Sequence, residues 1–329
     1  MTDVTDVRTS ELRQCDLRPG LRGLWLPLVT PFRNGAFDET SLRRLVRHYA
    51  GLPINGLILA ATTGESLTLS AEETERLVFT VRHEIGFSQI KLAGAAPAIC
   101  LGLSGSNTSS LLDMLDRTAA WPIDGYLISC PYYSRPSQHG LQLHFGALAD
   151  RAAHPVLIYN IPYRTGVNLG NEAMLRLADH PNIVGLKDCC DDRDQSLDLL
   201  RRRPETFAVL TGEDAHYHEA LVDGADGGIV ASAHIDTETF ASVWQQLAAG
   251  ERDAALSCWR TVADLTRLLF AEPSPAPIKY WLWRTGLIDS AEVRLPMTEV
   301  SAELARRLDL EIERRMAGSI ADTGRHQMA

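Results

Sequence analysis

No apolar run in this chain of 329 residues approaches the roughly 20 residues needed to cross a bilayer, so a helical membrane span is not expected. Positive charge is in the minority. Lys and Arg number 32 against 42 Asp and Glu, a formal net charge of −10. The arginine clusters Arg201-Arg-Arg203 and Arg314-Arg315 sit among acids, so nucleic acid is not an expected partner. The six cysteines, at 15, 100, 130, 189, 190 and 258, form no Cys-x-x-Cys pair and no His-Cys cluster with zinc-ligand spacing. They read as reduced thiols of a cytoplasmic protein, with no structural metal. Met1-Thr-Asp-Val-Thr-Asp6 is polar and acidic, so no secretory signal is expected there. No G-x-G-x-x-G follows the first strand candidate, which weakens a dinucleotide-binding reading. No histidine is prominent, and carboxylates of glycosidase type are missing.

What the chain does have is a recurring pair of patterns. Short apolar runs bounded by polar residues read as strands covered on both faces. They are Leu24–Val29, Ile54–Ala61, Leu92–Leu103, Asp124–Cys130, Pro155–Asn160, Asn182–Asp188, Phe207–Gly212 and Gly227–Ala231. The third is the least clear, because it holds Pro97 and two glycines, Gly94 and Gly102. Helical periodicity separates them, as in Leu42, Leu45, Val46 and Tyr49. Ser70-Ala-Glu-Glu73 has the form of a capping box. About eight strands alternating with about eight helices suit either an open doubly wound sheet or a closed barrel, and the even spacing favours a (β/α)8 TIM barrel. Beyond about residue 250 only helical patterns follow. The expected organisation is an N-terminal tail over 1–20, the barrel over 21–235, a C-terminal helical region over 236–316 and a flexible tail over 317–329.

In such a barrel the reactive side chains gather where strands end. Here those ends carry Thr30, Thr62-Thr-Gly-Glu-Ser66, Pro131-Tyr-Tyr-Ser134, Tyr159-Asn160 with Arg164, Lys187, Gly212-Glu-Asp214 and Ser232. Lys187 ends an apolar run, where an ammonium is costly to desolvate. Either its amine reaches water or pairs with Asp188 or Asp191, or burial lowers its pKa and makes it a nucleophile toward carbonyls. Each of the others has a bland reading too. Thr62-Thr63-Gly64 forms a tight turn, Tyr132-Tyr133 a surface pair, Tyr159 a core residue, Arg164 a solvated charge. Their joint placement at strand ends favours carbonyl chemistry: an imine-forming lysine, a tyrosine–threonine proton relay, and backbone N–H groups after Thr63 for a carboxylate.

The order Ala61-Thr-Thr-Gly-Glu-Ser66, Pro131-Tyr-Tyr-Ser-Arg-Pro136, Tyr159-Asn-Ile-Pro-Tyr-Arg-Thr-Gly166 and Gly185-Leu-Lys187 resembles the dihydrodipicolinate synthase / N-acetylneuraminate lyase family. Glu272-Pro-Ser-Pro-Ala-Pro-Ile-Lys279 and Arg294-Leu-Pro-Met297 extend the resemblance, which runs from about residue 22 to 315. It implies a (β/α)8 barrel with a C-terminal helical extension and class I aldolase chemistry without metal or organic cofactor. Lys187 matches the Schiff-base lysine that takes pyruvate. Tyr159 matches the proton-shuttling tyrosine, Thr62 its link to a second tyrosine, and Tyr133 that second tyrosine, supplied by a neighbouring subunit. Thr63 matches the binder of the pyruvate carboxylate, and Gly228 and Ile229 a segment lying against the keto acid. Arg164 matches the residue that binds the carboxylate of aspartate semialdehyde in the synthases, and Arg164 with Thr62 favours a synthase over a sugar-acid lyase.

The resemblance therefore implies a homo-oligomer, dimer or tetramer, acting on a 2-keto acid and an aldehyde. Departures from the family pattern keep a catabolic aldolase, lyase or hydratase acting on another aldehyde in view. They are Ala61 for a usual glycine, Ser274 where synthases often carry Asn, and a longer Gly94–Ser106 region. A barrel that binds keto acids without turnover is the third reading. Leu67, Ala71, Thr74 and Leu111 stand where lysine-inhibited members carry small, His, His and Glu residues, so insensitivity to L-lysine is expected.

Overall fold

A computed structural model describes Leu17, residues 21–87 and residues 96–326, with side chains described for all of these except 87 and 318–326. Eight apolar runs become strands: β1 (Gly23–Pro27), β2 (Gly56–Leu59), β3 (Ala98–Leu103), β4 (Gly125–Ser129), β5 (Val156–Asn160), β6 (Ile183–Asp188), β7 (Ala208–Thr211) and β8 (Gly227–Ile229). Each is parallel to the next and β8 pairs with β1, so the sheet closes on itself. Nearly every strand residue is buried, which is why the runs are continuously apolar rather than alternating. The expected start of β3 at Leu92, and Gly94, lie outside the described residues.

Two apolar layers result. One lies between strands and helices. The other fills the barrel and includes Trp25, Ile58, Cys100, Leu127, Leu157 and Ile229. Trp25 is fully buried, and its ring stands where a Cβ on residue 56 would be, so Gly56 is what lets it lie across the barrel. Leu17 and Leu21 join this inner cluster, and the Trp25 indole donates to the Leu21 carbonyl at 3.2 Å. Leu17 is 1% exposed, so that residue of the expected N-terminal tail is packed. Each such side chain contributes roughly 1.5–3 kcal/mol of burial.

The helices between strands are α1 (Glu39–Ala50), α2 (Ala71–Phe87), α3 (Thr108–Thr118), α4 (Gln138–Arg151), α5 (Asn171–Ala178), α6 (Arg193–Arg202), α7 (Tyr217–Asp223) and α8 (Thr237–Ala248). The α1 stripe of Leu42, Leu45, Val46 and Tyr49 is fully buried. The capping box before α2 forms reciprocally: Glu73 N donates to Ser70 Oγ at 3.1 Å and Ser70 N to Glu73 Oε2 at 3.0 Å. Asp38, Asn107, Ser137, Asp192 and Asp236 cap other helices with side-chain oxygens.

The helical region follows as α9 (Arg252–Leu269), α10 (Ala276–Arg284) and α11 (Ala302–His326). α8 packs on β1 as the eighth barrel helix, and α11 runs on to His326.

Candidate active site

Side chains at the C-terminal ends of β4, β5 and β6 share one level of the barrel. The register pairs Ser129 with Tyr159 and Tyr159 with Lys187. Lys187 is 6% exposed, and its Nζ lies 4.4 Å from the centroid of the Tyr159 ring. Among the described residues nothing accepts a hydrogen bond from this amine. The pairing with Asp188 is not made. Asp188 instead accepts from Ser196 Oγ at 2.6 Å and Cys190 N at 3.1 Å. Burial holds the Lys187 pKa below the ordinary lysine value, against the opposing pull of Cys189, Asp214 and Glu213. Burial also pushes the Tyr159 phenol well up, and Cys189 Sγ lies 4.0 Å from its oxygen. The room comes from Gly212, where a Cβ would stand 2.3 Å from Lys187 Cε and 2.4 Å from Cys189 Sγ.

The loop after β2 bends back over this level. Thr62 is exposed at the mouth and Thr63 is buried beside it. Ala60 and Glu65 take left-handed conformations, with φ of 49° and 54°. Such backbone persists only when its surroundings fix it, and three contacts do. Thr30 Oγ1 donates to Gly64 O at 2.8 Å. Lys279 Nζ donates to Glu65 Oε1 at 2.5 Å, and Arg294 N to Glu65 Oε2 at 2.9 Å. Lys279 on α10 is completely buried, donates also to Glu292 O at 2.8 Å, and lies 4.2 Å from the Phe32 ring centroid. Burial brings its pKa down to about 8, with Glu65 opposing. The C-terminal region thus anchors the Thr62–Thr63 loop. The sequence reading missed this role, although a lysine inside Pro277-Ile-Lys-Tyr-Trp-Leu282 was a visible signal.

A cavity of about 340 Å³ opens above this level. Thr62, Ser104, Ser129, Tyr132, Tyr159 and Arg164 line it from the barrel, and Ser274, Pro275, Pro296 and Met297 from the C-terminal region. Arg164 sits on a single helical turn, Pro162–Thr165, with its guanidinium 5.6 Å from the Tyr163 ring centroid. Tyr163 donates to Glu213 Oε1 at 3.0 Å. Behind that turn, Asn160 Nδ2 donates to Asn168 Oδ1 at 2.9 Å and Leu169 N to Asn160 Oδ1 at 3.0 Å, which fixes the loop's path.

The cavity therefore gathers Tyr159, Thr62 and Arg164, with Lys187 held against the Tyr159 ring rather than in the lining, and with Thr63 buried next to Thr62. Tyr133, Gly228 and Ile229 are not in its lining. Tyr133 is 94% exposed, holds φ at 71° and does not line the cavity. Thr62 and Tyr159 share the cavity without a hydrogen bond between them. Gly228 and Ile229 are in the barrel wall, where the register sets Gly227 level with Lys187 through Leu210; a Cβ on Gly228 would meet the Tyr217 ring, on the outer side. Among the described residues no three His, Cys, Asp or Glu side chains converge as metal ligands, and no helix is long and apolar enough to cross a membrane.

Known proteins resemble this chain in sequence and fold. The pattern of the Dihydrodipicolinate synthetase family matches residues 20–314. The 4-hydroxy-tetrahydrodipicolinate synthase 2 of Clostridium acetobutylicum is 39% identical over 289 residues, which cover 88% of this chain and 98% of that one. The crystal structure of the chloride-inhibited dihydrodipicolinate synthase from Acinetobacter baumannii, complexed with pyruvate, superposes with a TM-score of 0.82 at 31% identity, covering 89% of this chain and 98% of the other. The dihydrodipicolinate synthase from Thermotoga maritima gives 0.84 at 30% identity, with coverages of 89% and 98%. With its closed barrel, its lysine at the end of β6 and a match over most of its length, this chain belongs to the dihydrodipicolinate synthetase family.

Proposed function

We propose that this protein condenses pyruvate with L-aspartate 4-semialdehyde through an imine on Lys187, the reaction of a 4-hydroxy-tetrahydrodipicolinate synthase. The carrying observation is a buried amine with no ion-pair partner among the described residues, held against a phenol at the barrel mouth. Only a neutral amine attacks a carbonyl, and burial favours that form. Lys187 Nζ adds to the keto carbon of pyruvate and water leaves, giving the imine. The imine draws electrons from the methyl carbon, which gives up a proton and becomes an enamine nucleophile. That carbon bonds to the aldehyde carbon, the C=O pair moves to the oxygen and takes a proton, and the amine of the semialdehyde then displaces Lys187 from the imine carbon, closing the ring and freeing Nζ.

Tyr159 carries protons to and from the imine. Thr62 links it to Tyr133 of a neighbouring copy, so the working unit is a homo-oligomer. Thr63 holds the keto-acid carboxylate, and the backbone at Gly228 and Ile229 lies against the keto acid. Arg164 binds the carboxylate of the aldehyde bidentately. The chemistry calls for no metal or organic cofactor.

Incubation with pyruvate and borohydride, then peptide mass, tests the first step. With three lysines in the chain, at 91, 187 and 279, the site of an adduct is readily assigned. A pyruvate-derived adduct on Lys187 is expected; none would favour a barrel that binds keto acids without turnover. Ser274, which lines the cavity where synthases often carry Asn, supports a second reading with another aldehyde. Steady-state assays separate them, since no turnover of millimolar aspartate semialdehyde would reject the first.

A further inference from the structure

Six buried side-chain polar atoms lack a partner among the described residues, and Ser129 Oγ is the one whose residue lines the mouth cavity. Ser129 is 6% exposed and ends β4. Its register partner is Tyr159, whose own partner on the other side is Lys187. The three side chains form a row across adjacent strands: hydroxyl, phenol, amine. A buried hydroxyl without a hydrogen bond costs stability and gives nothing back within the chain. Its place in the row, not packing, is what a serine here serves. No hydrogen bond holds its χ1, so Oγ turns toward the cavity between staggered wells at little cost.

Resting on the imine chemistry proposed above, we infer that Ser129 is a further substrate-binding residue, donating a hydrogen bond to the carbonyl oxygen of the aldehyde. Neighbouring strands lie roughly 4.8 Å apart, so Ser129 stands two strands from Lys187 with Tyr159 between. The keto acid bonded to Nζ lies over Tyr159. The compound that approaches its enamine carbon from the mouth fills the space toward β4. As the new C–C bond forms, the C=O electron pair moves onto the aldehyde oxygen, and a donor placed there stabilises the growing charge.

The test compares Ser129→Ala and Ser129→Thr with the unaltered protein in three readouts. For Ser129→Ala, kcat/KM for the aldehyde should fall roughly ten- to a hundred-fold. The rate of borohydride-trapped pyruvate adduct should stay within about three-fold, a small part of that loss. The melting temperature without ligand should be unchanged or higher, because no protein hydrogen bond is lost. Ser129→Thr, which keeps the hydroxyl, should recover part of the aldehyde kcat/KM. An unchanged aldehyde kcat/KM in Ser129→Ala overturns the inference, and so does an equal loss in pyruvate trapping, which would move the residue to the keto acid. Turnover with a different aldehyde only would sink the proposed substrate alone, and the comparison is then read with that aldehyde. Unaltered protein that consumes no aldehyde sinks both.

Discussion

Lys187 owes its reactivity to position. The same amine one residue away would face the helices, because successive strand residues point to opposite sides. Lys187→Ala should abolish the pyruvate adduct and lower turnover by about a thousand-fold or more, with the fold intact by circular dichroism. Its lowered pKa sets the sign of the pH dependence. The trapping rate should rise with pH as the amine loses its proton and flatten before the roughly 10.4 of a free lysine. A rate still climbing at that pH would mean the amine is solvated. Lys187 was legible in the sequence because burying a cation is costly, and an apolar run seldom closes on one without a use for it. Lys279 was visible in the same way, inside an apolar run, but its role was not, because its partner Glu65 lies 214 residues away and nothing local links them.

Among the elements, the loop after β2 and helix α10 behave as one piece. The pair Glu65–Lys279 has side-chain exposures of 2% and 0%. Removing one charge from such a pair strands the other without solvent. Lys279→Met should therefore cost about 3–5 kcal/mol in denaturant unfolding, and Glu65→Gln combined with Lys279→Met should restore much of it. Equal loss in the single and double variants would show that the lysine stem, not the ion pair, matters. The strand and helix order followed from periodicity, and the residues around 96–103 were hardest to bound because Pro97 and Gly102 interrupt an otherwise apolar run.

At the scale of the whole molecule, Tyr133 is the residue that ties activity to assembly. It projects from the surface in a conformation unusual for a bulky residue, while Leu67 stands 72% exposed beside the same mouth. Tyr133→Phe should lower kcat roughly ten- to a hundred-fold without shifting the oligomer peak in sedimentation. A demonstrated monomer with full activity would remove the proposed role. L-lysine at millimolar concentration should leave the initial rate unchanged. Leu67, Ala71 and Thr74 line a cavity with Leu101, Met114 and Trp121, whose charged member is Arg117 and which has no carboxylate to receive an ammonium group. Leu111 is buried in α3. Inhibition by lysine would show that it binds elsewhere.

The sequence alone determined the alternation of strand and helix and the residues bearing reactive groups, and its even spacing favoured a closed barrel, because periodicity and strand-end chemistry are local. Only the tertiary structure decided which of those groups meet. It set Lys187 against Tyr159, turned Asp188 away toward Ser196, left Ser129 without a partner and brought Lys279 under the Thr62–Thr63 loop. Such meetings depend on register between strands and on packing between segments far apart in the chain, which no local pattern encodes.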